Sequence, residues 1–261
     1  MLQALRTKLL NDPCRKDSVE NMQRMVNVSS VREAARAFKR TTAIGTDAVS
    51  FLEIAKASDE SLEHLVGIIH RIIDDLAFPT QAMVNAITLL GKRHGGTRTV
   101  ATCSTIYRLV IGLLKEEVRL WDRSTGMEGD TALRTRNALV ETAKRHARIE
   151  AASLRGDKCV YLLRDIAKIF NSVHIPQMIE NALKEGFPPH QLLVGMQVHT
   201  APRVVRALGS VSAPLSRFGG SIIAGCSLST SFCRAYLLPV LRDVEPIDGG
   251  YSLHQHVDDI G

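Results

Sequence analysis

Three aspartates carry the chemistry that this sequence offers. Near its end, Leu253-His254-Gln255-His256-Val257-Asp258-Asp259-Ile260 reads as a strand running into a tight turn. That places two adjacent carboxylates where little side-chain bulk keeps a divalent cation away. An aspartate pair alone says little, because Asp74-Asp75 is another, inside a strongly periodic helical stretch where both face water. Asp165 gives the second pair a partner, since it closes another strand-like run, Cys159-Val160-Tyr161-Leu162-Leu163-Arg164-Asp165. Strand-end carboxylates far apart in sequence can converge in one sheet, and that geometry suits two metal ions that activate an attacking hydroxyl and stabilise a leaving phosphate oxygen. Taken singly each residue has a plainer reading: Asp165 as a turn or cap, Asp258-Asp259 as a polar turn, Phe170 as core, His199 and His256 as satisfied or exposed histidines.

The elements that must position these groups belong to a globular chain. With 261 residues it can bury a sizeable core as one large domain or two subdomains. The start, Met1-Leu2-Gln3-Ala4-Leu5-Arg6, lacks a sustained apolar core, and no run approaches the roughly 18 apolar residues of a membrane span. The expectation is an intracellular protein of nucleus or cytoplasm, neither secreted nor membrane-bound. Five cysteines, Cys14, Cys103, Cys159, Cys226 and Cys233, show no Cys-x-x-Cys pairing and are expected as reduced thiols. A net charge of +6 and a pI near 9.2 favour a polyanionic partner without requiring one.

In chain order, the first forty or so residues read as helices, with Ser30-Val31-Arg32-Glu33 spaced as a capping box for a basic helix ending near Arg40. Thr41 to Asp47 is a loop. From Ser58, a plausible N-cap, Leu62, Leu65, Val66, Ile69, Ile72, Ile73 and Leu76 keep helical spacing until Phe78-Pro79. Ala86 to Leu90 and Thr99 to Ala101 read as strands of a hairpin tipped by Lys92, Arg93 and Arg98, side chains able to hold a triphosphate and equally able to sit as a solvated basic turn. Residues 106 to 121 and 131 to 151 are helical by periodicity, the second carrying Arg134, Arg136, Lys144, Arg145 and Arg148. Beyond Asp165 come a turn, a helix from near Pro176 to Gly186, another after Pro188-Pro189, and a hairpin about Gly209. Gly219 to Cys226 is a small-residue loop that lets a backbone or flat base approach closely, feeding a helix from about Leu228 that Pro239 should kink or end.

The order of these pieces resembles the reverse transcriptase domain of non-LTR retroelements and group II introns, over about Thr41 to Gly261. Thr42-Ala43-Ile44-Gly45-Thr46-Asp47 is similar to the family's Gly-Pro-Asp-Gly loop, with Thr46 for Pro. Phe78-Pro79 through Lys92, then Arg98-Thr99-Val100, is similar to the fingers segment with its Lys and Arg-Pro-Ile. Asp165-Ile166-Ala167-Lys168-Ile169-Phe170-Asn171 looks like the palm motif Asp-Leu-Ser-Lys-Ala-Phe-Asp, Ala224-Gly225-Cys226-Ser227-Leu228-Ser229 sits where the family has Gln-Gly, and His256-Val257-Asp258-Asp259 matches the Tyr-or-Phe-x-Asp-Asp box with His for the aromatic.

The resemblance implies an α+β right-hand polymerase: an N-terminal helical segment at 1–40, a fingers-like region at 41–155 and a palm at 156–261, its sheet flanked by helices. It implies that Asp165 and Asp258 ligate two Mg²⁺ ions, replaceable by Mn²⁺, with Asp259 beside them. Phe170 would lie beneath the incoming sugar, Lys92 and Arg98 would hold the triphosphate, and Ala224-Gly225 would lie against the nascent base pair. The substrates would be an RNA template, a DNA primer and deoxynucleoside triphosphates. The chain stops two residues after Asp259, so the expectation is a fragment without thumb or primer grip, ending on an edge strand that lacks the second strand of the catalytic hairpin. The alternative function is a catalytically dead, truncated remnant that only binds nucleic acid.

Overall fold

Caps and apolar spacing set the helix starts. The computed structural model describes all residues except 92, 94, 128–129, 131, 134–135, 159–163, 167, 208, 217–220, 244–254, 257–258 and 261; at 98, 164–165, 255–256 and 259–260 it describes the backbone alone. Helices α1 (Leu2–Leu10) and α2 (Arg15–Arg24) precede α3 (Val28–Arg36). The capping box of α3 is not the expected Ser30-Glu33: Asn27 is the N-cap, its side chain accepting from Ser30 N at 3.0 Å while the Ser30 hydroxyl accepts from Asn27 N at 2.9 Å. A second box, Ser50 with Glu53, opens α4 (Phe51–Lys56). Ser58 caps α5 (Asp59–Asp75) as expected. Asp74 and Asp75 at its end are exposed, and their backbone carbonyls accept from Arg15 and from Arg6 of the first helices.

Strands β1 (Asn85–Gly91) and β2 (Thr97–Thr102) form the expected antiparallel hairpin. The single helix expected at 106–121 is two, α6 (Thr105–Leu114) and α7 (Glu116–Thr125), parted at Lys115. The basic helix starts later than its periodicity indicates, as α8 (Ala138–Leu154), capped by Asn137. Upstream, Asp130 Oδ1 accepts Ala132 N–H at 2.9 Å, a local turn that competes with helix. Of α8, Ala152 alone is buried, so its cations lie on a solvated helix.

From β3 (Arg164–Asp165) the chain continues through α9 (Ile169–Ser172), α10 (Ile175–Lys184), α11 (Pro189–Thr200), β4 (Arg203–Ala207), β5 (Ser210–Val211), α12 (Ser229–Asp243), β6 (Gln255–His256) and β7 (Asp259–Ile260). Pro239 does not end α12; Leu238 and Leu241, buried on either side, hold its last turn. The result is an α+β architecture with two sheets, one ordered β2-β1-β4-β5 and the other β3-β7-β6. β4 runs parallel to β1, and the remaining pairs are antiparallel. One apolar cluster extends from Leu5 in α1 to Leu238 in α12, with α11 buried nearly all round at its centre. Among the described residues no helix is long and apolar enough to cross a membrane.

The 41–50 loop is fastened to this core. Thr46 donates its hydroxyl to Val84 O at 2.6 Å, a bond proline could not make, and Arg108 donates to Ala43 O at 2.7 Å. Gly45 lies so close to the start of α6 that a Cβ would fall 2.7 Å from both Cys103 O and Ser104 Cα. Backbone cannot swing aside as a side chain can. Gly45→Ala is therefore expected to destabilise the fold by about 1–3 kcal/mol, as overpacking does. Urea denaturation measures it, and a midpoint equal to the parent's would refute the close approach.

Candidate active site

Two of the three aspartate positions meet in the smaller sheet. β3 pairs antiparallel with β7, Asp165 opposite Asp259 and Arg164 opposite Ile260, and β7 pairs with β6, His256 opposite Asp259. Antiparallel register partners lie roughly 4.5–5.5 Å apart at Cα, near enough for carboxylates to share a cation. Asp258, between β6 and β7, lies outside the described residues. One expectation needs correction: the hairpin's second strand is present as β7, in the middle of the sheet, while β6, the strand that leads into the aspartates, lies at its edge as expected. Backbone hydrogen bonding on both sides of Asp259–Ile260 is what places β7 in the middle.

The other expected site residues that are described belong to the larger sheet, to α9 and to the small-residue loop. Lys92 lies outside the described residues, while Arg98 belongs to β2, opposite Leu90. Phe170 is half-buried in α9 and packs against the core. Ala224 and Asn171 face Thr99 and Ala101 of β2 and Arg203 of β4 across a cleft of about 170 Å³. Gly225 has φ +97°, where a side chain would be strained, and a Cβ there would lie 3.5 Å from Ala101 O. The small-residue loop thus packs against the β1–β2 hairpin, and the loop, the hairpin and the helix after Asp165 share the cleft.

That loop is held by buried groups to which sequence alone gives no such role, His199 reading only as a satisfied or exposed histidine. Ser221 N donates to Val173 O at 3.0 Å and Ile222 N to Phe170 O at 2.7 Å. Arg203 donates from Nη1 to Ser221 Oγ at 2.9 Å and from Nη2 to Ser221 O at 3.0 Å. Ile223 N donates to His199 Nδ1 at 2.9 Å, and Ser229 Oγ to Ile223 O at 2.5 Å. The available signal was a histidine and an arginine, His199 and Arg203, bracketing Pro202 between an apolar helical run and a strand-like Val204-Val205. Cys226 Sγ contacts the Tyr107 hydroxyl at 2.9 Å, and burial raises the pKa of the Cys103 and Cys226 thiols, keeping both protonated and unreactive. The four described cysteines are free thiols.

His199 is fully buried, and burial, aided by the nearby Arg203 charge, lowers its pKa from 6.5 to about 3. Accepting at Nδ1 leaves the proton on Nε2, which has no hydrogen-bond partner among the described residues. The native ring stays neutral where the unfolded one takes up a proton, so its stabilising contribution is complete above pH 6.5 and is lost as the pH falls toward 3. The expected slope is about 1.4 kcal/mol per pH unit within that window. Urea titrations of the parent and His199→Asn at successive pH values isolate it; parallel stability curves would assign the acid sensitivity elsewhere.

Among the described residues no group of three or more His, Cys, Asp or Glu side chains is disposed to hold a metal; the Asp165, Asp258 and Asp259 side chains are not among those described. No protein-family model matches the chain, and no curated protein matches it.

Proposed function

We propose that this chain is the polymerase domain of an RNA-directed DNA polymerase, extending a DNA primer on an RNA template with deoxynucleoside triphosphates. The observation that carries the reading is the β3–β7 register, which aligns Asp165 with Asp259 although most of the palm-like segment separates them in sequence. Independent turns have no reason to meet in this way. The donor set also fits the cation: aspartate oxygens at neighbouring strand positions are ligands for hard divalent ions such as Mg²⁺.

Asp165, Asp258 and Asp259 would hold Mg²⁺, which when bound supplies the charge that activates a primer 3′-hydroxyl and neutralises the leaving pyrophosphate. The remaining residues bind and orient. Phe170 limits space at the sugar, Lys92 and Arg98 neutralise the triphosphate, and Ala224 and Gly225 present a backbone surface to the base pair. The grip on the RNA-containing duplex is through phosphates and A-form shape, in keeping with the net charge of +6. The test is incorporation of labelled dTTP on a poly(rA)–oligo(dT) substrate with and without Mg²⁺. Metal-dependent extension is expected, and no incorporation with either Mg²⁺ or Mn²⁺ would overturn the reading.

A further inference from the structure

The cleft between Ala224 and β2 has a width that something must set, and small residues cannot set it themselves. The hydrogen bonds around residues 221–223 supply the constraint. Their three N–H groups go to Val173 O, Phe170 O and His199 Nδ1, while the carbonyls of Ser221 and Ile223 are taken by Arg203 and Ser229. Ser221 is held at φ +91°, a backbone region costly for a non-glycine residue, so its neighbours must over-determine it. Arg203 does so with two donors of one planar guanidinium, and its Nη2 also reaches His199 O at 3.2 Å, tying the two residues to each other.

Both anchors are referred to the larger sheet. Arg203 stands opposite Asn85 in the parallel β1–β4 pair, and Asn85 donates from its side-chain Nδ2 to Val198 O at 2.8 Å and from its backbone N to Pro202 O at 3.0 Å. The strand that leads to the Lys92 and Arg98 hairpin and the loop that presents Ala224 are thus indexed to the same short segment, Val198 to Arg203.

We propose that His199 and Arg203 are positioning residues that fix the height of the Ser221–Gly225 backbone over the cleft and so set the affinity for the incoming nucleotide. The inference rests on the polymerase reading above. His199 and Ser221 do not line the cleft, whereas Arg203 does, so the first two act through the loop and make the cleaner probes.

The experiment measures dTTP KM and kcat on poly(rA)–oligo(dT) for the parent, Ser221→Ala, His199→Leu and His199→Asn, with thermal melts to confirm folding. Ser221→Ala removes the Oγ acceptor of Arg203, and His199→Leu removes the acceptor of Ile223 N–H. Each is expected to raise KM about threefold to tenfold, the equivalent of one lost hydrogen bond, with kcat within about twofold. His199→Asn offers an amide oxygen to the same N–H and is expected to remain near the parent. Hydrogen exchange at Ile222 and Ile223 should quicken in the first two variants and not in the third. If His199→Leu does not fold, Ser221→Ala carries the test alone. Folded variants with unchanged KM, or with kcat lost and KM unmoved, overturn the positioning role and leave the polymerase reading standing. A parent that extends no primer overturns that reading and this one together.

Discussion

Asp165→Asn is expected to reduce RNA-templated extension by about a thousandfold or more while RNA affinity stays within about twofold of the parent. The substitution keeps the size of the side chain and removes its charge, so β3 should still pair with β7 and the register with Asp259 should persist. What would be lost is a ligand for the proposed divalent cation where β3 and β7 meet. A thousandfold corresponds to about 4 kcal/mol of transition-state stabilisation, within the range of a single strong electrostatic contribution. Asp258→Asn should match it, and Asp259→Asn should cost less, in keeping with its secondary role. On the proposed reading RNA binding would rest on phosphate contacts by Lys and Arg, so its log affinity should fall against log salt with one slope for parent and variants alike. Extension by Asp165→Asn at the parent's rate would remove the catalytic reading. Salt-dependent binding that survived that result would leave the nucleic-acid-binding remnant as the reading to pursue.

Much of the chain was legible because local signals agreed with tertiary ones. The β1–β2 and β4–β5 hairpins, the Ser58 cap and the helix following Pro176 each follow from turn chemistry and apolar spacing that nothing overrides. Misreadings came where a distant partner decided. Nothing local in residues 106–121 marks the break at Lys115, and Trp121, on the second piece, turns out to donate to Glu185 O at 2.8 Å. Residues 131–137 have helical periodicity, yet Asp130 is drawn inward by Arg234, from a helix that begins almost a hundred residues later. The candidate site divides in the same way. The aspartates and small-residue loop could be named from residue type and order, whereas the role of His199, Arg203 and Ser221 could not, because it lies in hydrogen bonds between α11, β4 and a loop that only the fold brings together. Position in the sheet was also beyond the sequence: a strand as short as Asp259–Ile260 has no pattern to say that partners flank it on both sides.

The same Asp130 gives the largest stability effect expected of any single side chain here. Arg234, in the second turn of α12, is 4% exposed, and it donates from Nε to Asp130 Oδ2 at 2.6 Å and from Nη1 to Asp122 of α7. Asp130 is 2% exposed and Asp122 19%, with Ser231 Oγ donating to Asp122 Oδ2 at 2.8 Å. Burial raises the Asp122 pKa in spite of the cation beside it. At Arg234 burial acts against the charge, but the Asp130 bond and the two carboxylate fields outweigh it, so the guanidinium remains protonated. Deleting the more deeply buried carboxylate leaves that guanidinium with Asp122 alone of these two carboxylates, and its Nε buried without the Asp130 acceptor. Asp130→Ala is therefore expected to cost about 3–5 kcal/mol, lowering Tm by on the order of 10 °C in a chain of this size. Asp122→Ala should cost less, because solvent reaches that side of the cluster. Replacing Arg234, Asp122 and Asp130 together by Met and Leu should recover most of the loss, since an apolar cluster of similar volume carries no desolvation debt. Thermal and urea denaturation of the three variants decide it. If Asp130→Ala melts within a degree or two of the parent, Arg234 has another means of solvation and the cluster is not what joins α7 to α12; if the triple variant is no better than Asp130→Ala, the geometry of the ions, and not the removal of an unpaired charge, is what the fold requires.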